Sequence, residues 1–450
     1  MDLAQVAAKA AEMATAAGAG EAEAYCVEEA GRQVRVHAGA VESLTAATER
    51  GIGIRAWREG RVGYAYGTDL SDEGLREVAT AAAGAAQVAD ADPFAAAPAP
   101  DGAAQEIPGL RDGSVASTPT EEVIALAIEI ERVALDADRR IAGVEQVVYA
   151  DADERVAIAT STGIEGAFEA SSAYAYLQAM ADGGESRETG LGFGMGRGPA
   201  ALSAEEIGRE AAERAVGMIG ATKPQSRTCP VVLDPTVAAS FVGFIGGTLG
   251  ADAVQRGRSP FADSLGEEIA AEALVLADDG LDPEGLASAP FDGEGQPRRR
   301  LELIEGGRLR TFLHDSYTAR RGDTASTASA GRAGYRSQPA VSASNLVIGE
   351  GRAGEEDLLR AAEGGVYVTD VAGLHSGVNP VSGSFSVGAS GRLIADGALA
   401  DPVREFTIAS DLVGMLQAVT ATGAEARWVP FGGSVRTPPL LVSEMAIGGS

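Results

Sequence analysis

Lysine, histidine and cysteine are scarce in this chain of 450 residues, and each shortage argues against a class of site. Lys9 and Lys223 are the only lysines, so a Ser–Lys catalytic pair would need long-range assembly. The two cysteines, Cys26 and Cys229, lie far apart, which predicts neither a disulfide framework nor a thiolate zinc site. The three histidines are too widely spaced for two to share a helical turn, which excludes a local zinc-binding pair.

Apolar runs of membrane-spanning length are also missing, and the charge is one-sided. The formal net charge is −29 and the sequence pI is near 4.5, so the field of the protein repels phosphate backbones and anionic membranes. We therefore expect no direct nucleic-acid ligand and no membrane partner. The first eighteen residues lack a basic segment and show helical periodicity, which argues against a signal peptide. Together with the cysteine usage, this predicts a cytoplasmic protein.

Hydrophobic residues make up 45% of the chain, enough for a large core and more than one domain. Helical periodicity near the N-terminus gives way to strand-like alternation over 21–66, with Val34, Val36, Ile52, Ile54, Val62 and Tyr64 as inward candidates. The polar segment "ATKPQSRTCP" at 221–230 predicts a boundary. We predict an α+β protein of two domains, 1–220 and 221–450. In each, helices pack on antiparallel sheet, and the C-terminal domain is strand-rich and barrel-like.

Two local patterns give sharper expectations. Capping boxes are predicted at Thr118/Glu121 and at Ser203/Glu206, and Asp234-Pro235 should begin a helix. In "GLGFGMGRG" the glycines fall at every second position from Gly190, which places them on one face of a strand. That pattern is not a nucleotide loop, and it predicts close approach of another backbone.

The loop "GLHSGVNPVSGSFSVGASG" stands apart because glycine and polar residues surround His375. Loops of this kind carry function more often than cores do. His375 could face a substrate or could merely order the loop, and both readings stay open. His37 is predicted to be structural, and His314 lies in "TFLHDSYTARR".

Several segments resemble the TldD/PmbA family, also known as modulators of DNA gyrase. These are "APFDGEGQPRRRLELIEGGRLRTFLHDSYTARR" (289–321), "GVNPVSGSFSVGASGRLIADGALADPVREFTIASDL" (377–412), the terminal "SEMAIGG" (443–449) and "RGIGIRAWREGRVGYAYGTDL" (50–70). The resemblance spans nearly the whole chain. It identifies 221–450 as a TldD/PmbA-type domain.

The resemblance implies one of two branches that pair with each other. TldD-like members carry an H-E-x-x-x-H helix and a C-terminal cysteine and are metallopeptidase subunits; PmbA-like members, also called TldE, lack the histidine motif. When "GRSPF" is aligned with the end of the TldD pattern, the two histidine positions correspond to Val242 and Gly247, and the glutamate position corresponds to Gly243. None of these can bind zinc or activate water. "WVPFGGSVRTPP" (428–439) has no cysteine either.

The chain thus resembles the PmbA/TldE branch, which implies a non-catalytic subunit with no cofactor of its own. Zinc is expected in a TldD-like metallopeptidase partner, and unfolded, leader or toxin–antitoxin peptides are the implied substrates. Any link to gyrase is indirect. No residue is assigned a catalytic role. The residues expected to face substrate or the partner's cleft are His375, Asn379, Ser384, Phe385, His314, Asp315 and Tyr317.

Two other functions remain open from the sequence. One is a stand-alone amide hydrolase acting on a specialised metabolite or peptide, with a metal held by distant acids and His375 or His314. The other is a non-enzymatic binding module linked to gyrase or its inhibitors. The metal content of the isolated chain distinguishes the amide hydrolase from a TldE-like subunit. The identity of the partner recovered from lysate distinguishes the binding module from a TldE-like subunit.

Overall fold

The computed structural model describes residues 2–184, 186–430 and 433–450. Within these residues the strands form three six-stranded sheets and one two-stranded ribbon, and helices pack against the sheets. The first sheet uses strands from 21–196 only, whereas the other sheets use strands from Arg227 onward. The α+β class is therefore confirmed.

The first sheet is antiparallel throughout, and its spatial order is β3-β2-β1-β4-β5-β6. Alternating side chains in its central strands are buried on both faces, because helices cover one face and the second half of the chain covers part of the other. Its strands are β1 (Glu21–His37), β2 (Ala40–Arg58), β3 (Arg61–Gly67), β4 (Ile141–Thr160), β5 (Glu165–Asp182) and β6 (Arg187–Gly196).

Four helices cover one face of this sheet: α1 (Leu3–Ala16), α2 (Asp72–Val88), α4 (Thr120–Ala137) and α5 (Ala204–Gly217). A short helix, α3 (Ser114–Ser117), and a 3-10 turn (Pro199–Ala201) complete this part. The predicted inward residues Val34, Val36, Ile52 and Ile54 are fully buried. Val62 and Tyr64 are half-buried and lie opposite Trp57 and Arg55, on the face turned away from the helices. Among the described residues, no helix is both long and apolar enough to cross a membrane.

The glycine stripe of β6 lets α5 pack directly against the strand backbone. A Cβ at Gly190 would lie 2.3 Å from the carbonyl oxygen of Ala211, and one at Gly192 would lie 2.0 Å from that of Ile207. Both distances are far below a tolerable contact, so only glycine permits this approach. The predicted close approach of a second backbone is confirmed.

The second half contains shorter elements. Its helices are α6 (Pro235–Thr248), α7 (Ala251–Gln255), α8 (Ser316–Arg321), α9 (Glu355–Ala361), α10 (Leu374–Gly377) and α11 (Leu412–Gln417). Its strands are β7 (Arg227–Leu233), β8 (Leu276–Asp279), β9 (Arg300–Glu305), β10 (Arg308–Leu309), β11 (Ala330–Gly331), β12 (Ala340–Val341), β13 (Asn345–Ile348), β14 (Val366–Ala372), β15 (Ser384–Ala395), β16 (Ala398–Asp411), β17 (Val419–Thr422), β18 (Arg427–Val429), β19 (Ser434–Thr437) and β20 (Leu440–Gly448).

One sheet of the second half closes into a barrel. Its order is β16-β15-β14-β7-β20-β17, and an additional pairing of β16 with β20 closes a ring of five strands. The other large sheet has the order β10-β9-β8-β13-β19-β18. Helix α6 packs on strands of both sheets within one shared core. The barrel-like prediction is therefore confirmed.

The prediction of antiparallel sheets is wrong at two places in the second half of the chain. Strand β7 runs parallel to β14, and β13 runs parallel to β19. Parallel pairs need long crossover connections, and here the intervening helices and loops supply them. Alternation along a single strand carries no information about the direction of its neighbour, so the sequence could not reveal these pairings.

Helix starts follow the capping signals with one exception. Ser203 accepts a hydrogen bond from the Glu206 N–H at 3.2 Å, and Asp234 accepts one from the Thr236 N–H at 2.9 Å. The box predicted at Thr118 does not form. Helix α4 begins at Thr120, one residue later than predicted, and its N-cap is Pro119, which makes no side-chain hydrogen bond. Proline supplies the extended entry conformation without a side-chain hydrogen bond.

Candidate functional site

A cleft of about 260 Å³ lies where the first sheet meets the second half of the chain. Strand β2 contributes Arg55 and Trp57 to it, and the second half contributes Glu294, Asp315 and Tyr317. The cleft also adjoins the end of α6. Val341 lines the cleft and lies 3.3 Å from where a Cβ on Gly250 would be, just beyond the last turn of that helix. Charged side chains from both halves therefore converge beside α6.

A buried ionic cluster forms the floor of the cleft. The Arg55 guanidinium donates to Glu23 at 2.5 Å and to Glu294 at 3.1 Å, and Arg332 donates to the other oxygen of Glu23. Glu23 is fully buried, and Arg55 stacks over the Trp57 ring at 4.8 Å. Each buried charge is thus matched by an opposite charge, which a low-dielectric interior requires.

Electrostatics around this cluster push two nearby carboxyl groups in opposite directions. Burial, with the negative charge of Glu294 as the next cause, raises the pKa of Asp292 to about 7. Burial also opposes ionisation of Glu294, but Arg55 and the hydrogen bonds from Ser316 outweigh it and lower the pKa of Glu294. Glu294 is therefore the group that stays ionised to balance Arg55.

Asp315 and Tyr317, two of the predicted residues, reach the cleft from α8. Asp315 caps this helix by accepting a hydrogen bond from the Thr318 N–H at 2.7 Å, and burial raises the pKa of its carboxyl. The Tyr317 hydroxyl donates to Asp92 at 2.8 Å, which ties α8 to the long loop after α2. Both side chains line the cleft and also hold its walls together.

His314 does not line the cleft, although it precedes Asp315. Its side chain is buried, and its backbone is held by Thr327 at 2.6 Å and by further bonds to the loop that follows α8. Burial lowers the pKa of the imidazole, so the neutral form is favoured. The Nδ1 atom has no hydrogen-bond partner among the described residues. His314 therefore supports the cleft wall from behind.

His375 lies on a different part of the surface. It is exposed on α10, next to the barrel strand β15. Asn379 is also exposed, but its side-chain oxygen accepts hydrogen bonds from the N–H groups of Val381 at 2.9 Å and Ser382 at 3.2 Å. Asn379 thus fixes the turn of its own loop. Within the described ranges, no hydrogen bond or ion pair joins this loop to the cleft.

The other two residues expected in this loop differ from each other. Ser384 is exposed, and its hydroxyl accepts from Ser382 at 3.2 Å. Phe385 is 4% exposed, and its ring centroid lies 5.0 Å from that of Phe241 on α6. The expectation that Phe385 faces a ligand needs correction. Alternation along β15 turns this ring into the core, where it anchors the loop.

Helix α6 offers no zinc ligand at the positions named from the sequence. Val242 is 2% exposed and packs in the shared core, whereas Gly247 is exposed with no atom within 4 Å of where its Cβ would be. Residues five apart in a regular α-helix point in different directions, so these two positions do not converge on one point. Neither Val242, Gly243 nor Gly247 carries a donor atom in its side chain, and the residues present do not fit zinc.

The rest of the described chain shows no group of metal ligands either. In 2–184, 186–430 and 433–450, no three His, Cys, Asp or Glu side chains lie close enough together to hold a metal ion. The alternative of distant acids combining with His314 or His375 therefore finds no support there. In the cysteine-free segment 428–439, Phe431 and Gly432 lie outside the described residues.

The sequence pointed to only part of this cleft. It missed Arg55 and Trp57 on β2 and Glu294 in the loop before β9, because nothing in their local sequence shows that they face the other half of the chain. One signal was present in "GIGIRAW". A Cβ on Gly51 would lie 2.3 Å from the Tyr335 ring, and one on Gly53 would lie 2.3 Å from the Tyr335 carbonyl oxygen. Alternating glycines before Arg55 indicate that this face is covered too.

A five-stranded barrel and a helix-covered antiparallel sheet, meeting at a charged cleft beside a central helix, are the architecture of a known class of metallopeptidase-related proteins. Models of that class match three segments of the chain: PmbA/TldA metallopeptidase domain 1 at 22–86, the central domain at 113–219 and the C-terminal domain at 226–449. Together they cover most of the sequence. The chain belongs to the PmbA/TldD family.

Individual relatives agree with this assignment. The chain is 27% identical to the metalloprotease PmbA of Escherichia coli O157:H7, over 95% of this chain and 92% of that protein. A Thermotoga maritima structure described as a candidate modulator of a DNA gyrase matches with a TM-score of 0.90 at 25% identity, covering 98% of each chain. TldE from Thermococcus kodakarensis has the same fold, with a TM-score of 0.91 over 98% of this chain and 99% of that one at 22% identity. A role connected with proteolysis follows from the family.

Proposed function

We propose that this chain is the non-metal-binding, TldE/PmbA-like subunit of a heteromeric metallopeptidase. A TldD-like partner would hold zinc and hydrolyse the peptide bond, and this chain would shape the substrate channel. The observation that carries the proposal is the side-chain chemistry of α6. Val242, Gly243 and Gly247 offer neither a ligand nor a base at the positions where the family motif has them.

The cleft beside α6 supports a role in holding peptide. It combines a buried arginine, the Trp57 ring and the Tyr317 hydroxyl in a space of about 260 Å³, which suits short stretches of unfolded or leader peptide. The net charge of −29 argues against direct binding of nucleic acid. The two described cysteines are free and buried, which agrees with a reducing cytoplasm as the place of action.

Co-expression with a TldD-like protein tests the proposal. We expect a complex of both chains that contains zinc and cleaves casein or a leader peptide, with cleavage abolished by a chelator. The isolated chain should contain no stoichiometric zinc after dialysis and should not cleave the same substrates. Stoichiometric zinc with chelator-sensitive cleavage by the isolated chain would show that it is an enzyme in its own right. Recovery of a topoisomerase instead of a TldD-like protein from lysate would favour the binding-module function.

A further inference from the structure

We propose that the outer edge of β2, from Ala40 to Arg50, pairs with an extended strand of the TldD-like partner subunit and continues the first sheet across the interface. The proposal rests on the proposed function and adds the surface through which the two subunits would meet. We call this segment the free edge.

The free edge has a strand on one side only. Strand β3 pairs with β2 from Ile52↔Gly67 to Arg58↔Arg61 and stops there. On its other side, β2 pairs with β1 as far as Ala40↔His37. In the part of the chain that the structure describes, no residue pairs with the outer side of 40–50, and every side chain of 40–50 is exposed. A row of unpaired N–H and C=O groups is a template for another strand.

Few of the features that protect natural edges are present in this segment. Natural edges are usually short or carry lysine, proline or a bulge. The segment "AVESLTAATER" contains neither lysine nor proline. Its register shift leaves Glu42 without a partner on β1 and is confined to the tip of the hairpin, so Ser43 to Arg50 pair regularly with β1. Val41 and Leu44 are 40% and 49% exposed. Both are among the larger exposed apolar side chains of the described residues, and both lie on the free edge.

The face next to the free edge can receive side chains from an added strand. Leu44 lies opposite Val34, which is buried beneath α4, so the apolar surface continues from the helix layer to the edge. Beyond it, a groove of about 440 Å³ is lined by Arg32, Ala46, Thr48 and Arg111, among others. In strand addition, main-chain hydrogen bonds give affinity and pockets for alternate side chains give specificity. The groove supplies such pockets.

The charge near the free edge differs from that of the rest of the chain. The hairpin from Ala30 to Arg50 carries three arginines and two glutamates, whereas the chain as a whole has a net charge of −29. The field of this chain therefore repels an approaching acidic surface less at the hairpin than over the chain as a whole. The family model for domain 1 spans this hairpin, so a TldD-like partner of the same family would bring a corresponding edge. Equivalent edges can pair antiparallel about a two-fold axis.

Hydrogen exchange measured on the full-length chain, alone and in the co-expressed complex, tests the proposal directly. Amides in 40–50 that point away from β1 should exchange rapidly in the chain alone and at least about tenfold more slowly in the complex. Unchanged exchange in an assembled complex would overturn the free-edge proposal and leave the proposed function standing. Failure of any complex to form would overturn both.

Other occupants would give different patterns. Protection of 40–50 already in the chain alone, together with a dimer by light scattering, would assign the free edge to a second copy. Protection that appears only when the leader peptide is added would assign it to substrate. Either result overturns pairing with the partner.

A pair of surface variants gives a second readout. Leu44→Lys should weaken assembly by roughly tenfold or more in dissociation constant, because it places a strongly hydrated charge on the free edge. Val88→Lys makes the same kind of change at a side chain that is 85% exposed at the end of α2, and assembly should be unchanged. Equal affinity of both variants for the partner would contradict the proposal. Both positions are exposed, so folding is not at stake.

Discussion

Arg55 joins the two halves of the chain through buried ion pairs. It lies on β2, yet it neutralises Glu294 of the second half as well as Glu23 of its own sheet. Removing one member of a buried ionic cluster leaves uncompensated charge, whose cost exceeds the net stabilisation by the intact cluster. Arg332 also pairs with Glu23, but Arg55 is the guanidinium that Glu23 and Glu294 share.

We predict that Arg55→Met lowers the free energy of unfolding by about 3–5 kcal/mol, because Glu23 and Glu294 would lose their shared partner while remaining buried. Urea unfolding followed by circular dichroism measures the change. Arg132→Met is the matched control, since its ion pairs with Glu129 and Asp136 are exposed, and it should have little effect. Equal midpoints for both variants would show that the buried cluster does not stabilise the fold.

Glu154 gives a second residue-scale prediction, based on pH. Burial and the charge of Glu29, directly opposite on β1, raise the pKa of Glu154 to about 7. In the native state Glu154 thus holds its proton between roughly pH 4.5 and 7, where the unfolded chain has released it. The protonated Glu154 carboxyl therefore favours the folded state fully below about pH 4.5, and this stabilisation is lost as the pH rises to 7.

Glu154→Gln removes this dependence, because glutamine keeps the shape and never ionises. Relative to the parent, the variant should gain on the order of 1–3 kcal/mol of stability between pH 5 and pH 8. Urea midpoints at both pH values measure the gain. Glu12→Gln, at an exposed glutamate of α1, is the control, and it should change the pH dependence of stability little. A parent and variant whose stabilities change in parallel with pH would contradict the assignment.

At the scale of elements, the contact between β6 and α5 depends on glycine. Gly192→Ala should destabilise the protein by about 1–3 kcal/mol, because the new methyl group would lie 2.0 Å from the Ile207 carbonyl oxygen and must push the helix away. Gly217→Ala lies in α5 with no atom within 4 Å of its Cβ, and should be neutral or stabilising by up to about 1 kcal/mol. Thermal unfolding of both variants checks the pair. A stable Gly192→Ala protein would mean that the helix moves freely on the strand.

Elements with a strong local signal could be predicted from the sequence, and those decided by distant partners could not. Capping by Asp234 and the glycine spacing of β6 act within a few residues, so both are legible in the sequence. The parallel pairing of β7 with β14 depends on segments that are remote along the chain. Nothing in "VVLD" encodes the direction of its neighbour.

The candidate site divides in the same way. Asp315 and Tyr317 lie in the segment 289–321, which resembles the family, and both line the cleft. Arg55 cannot be predicted in the same way. The strand pattern places Ile54 under the helices and predicts solvent on the opposite face, where the second half of the chain buries Arg55 instead. Phe385 was assigned to the surface with its polar loop, although strand alternation turns its ring inward. A residue's burial depends on which layer covers it, and the sequence does not name that layer.

At the scale of the whole molecule, the His375 loop and the cleft are separate surfaces that an assembled complex could use together. We predict that His375→Ala leaves the chain folded and paired, because the side chain is exposed. Peptide cleavage by the complex should fall by roughly tenfold if the imidazole positions substrate, with zinc content unchanged. Cleavage per assembled complex and zinc content are the measurements.

Asn379→Ala is the informative comparison for that prediction. Its side chain holds the turn through two backbone N–H groups, so this variant should also lose about 1–2 kcal/mol of stability. If His375→Ala lowers stability as much as Asn379→Ala while turnover per complex stays normal, the loop is purely structural. The two variants together separate ordering of the loop from contact with substrate.

The pairing of β7 has a consequence for how the protein is made. Val231 on β7 pairs with Val366 on one side and with Val442 on the other, so this barrel strand finds neither neighbour until most of the chain has been synthesised. Loop closure over such separations slows folding and leaves apolar segments uncovered in the meantime. During translation, β7 and the apolar helix α6 that follows it would therefore remain uncovered. We expect a chaperone that recognises short hydrophobic segments to bind the nascent chain at β7 and α6.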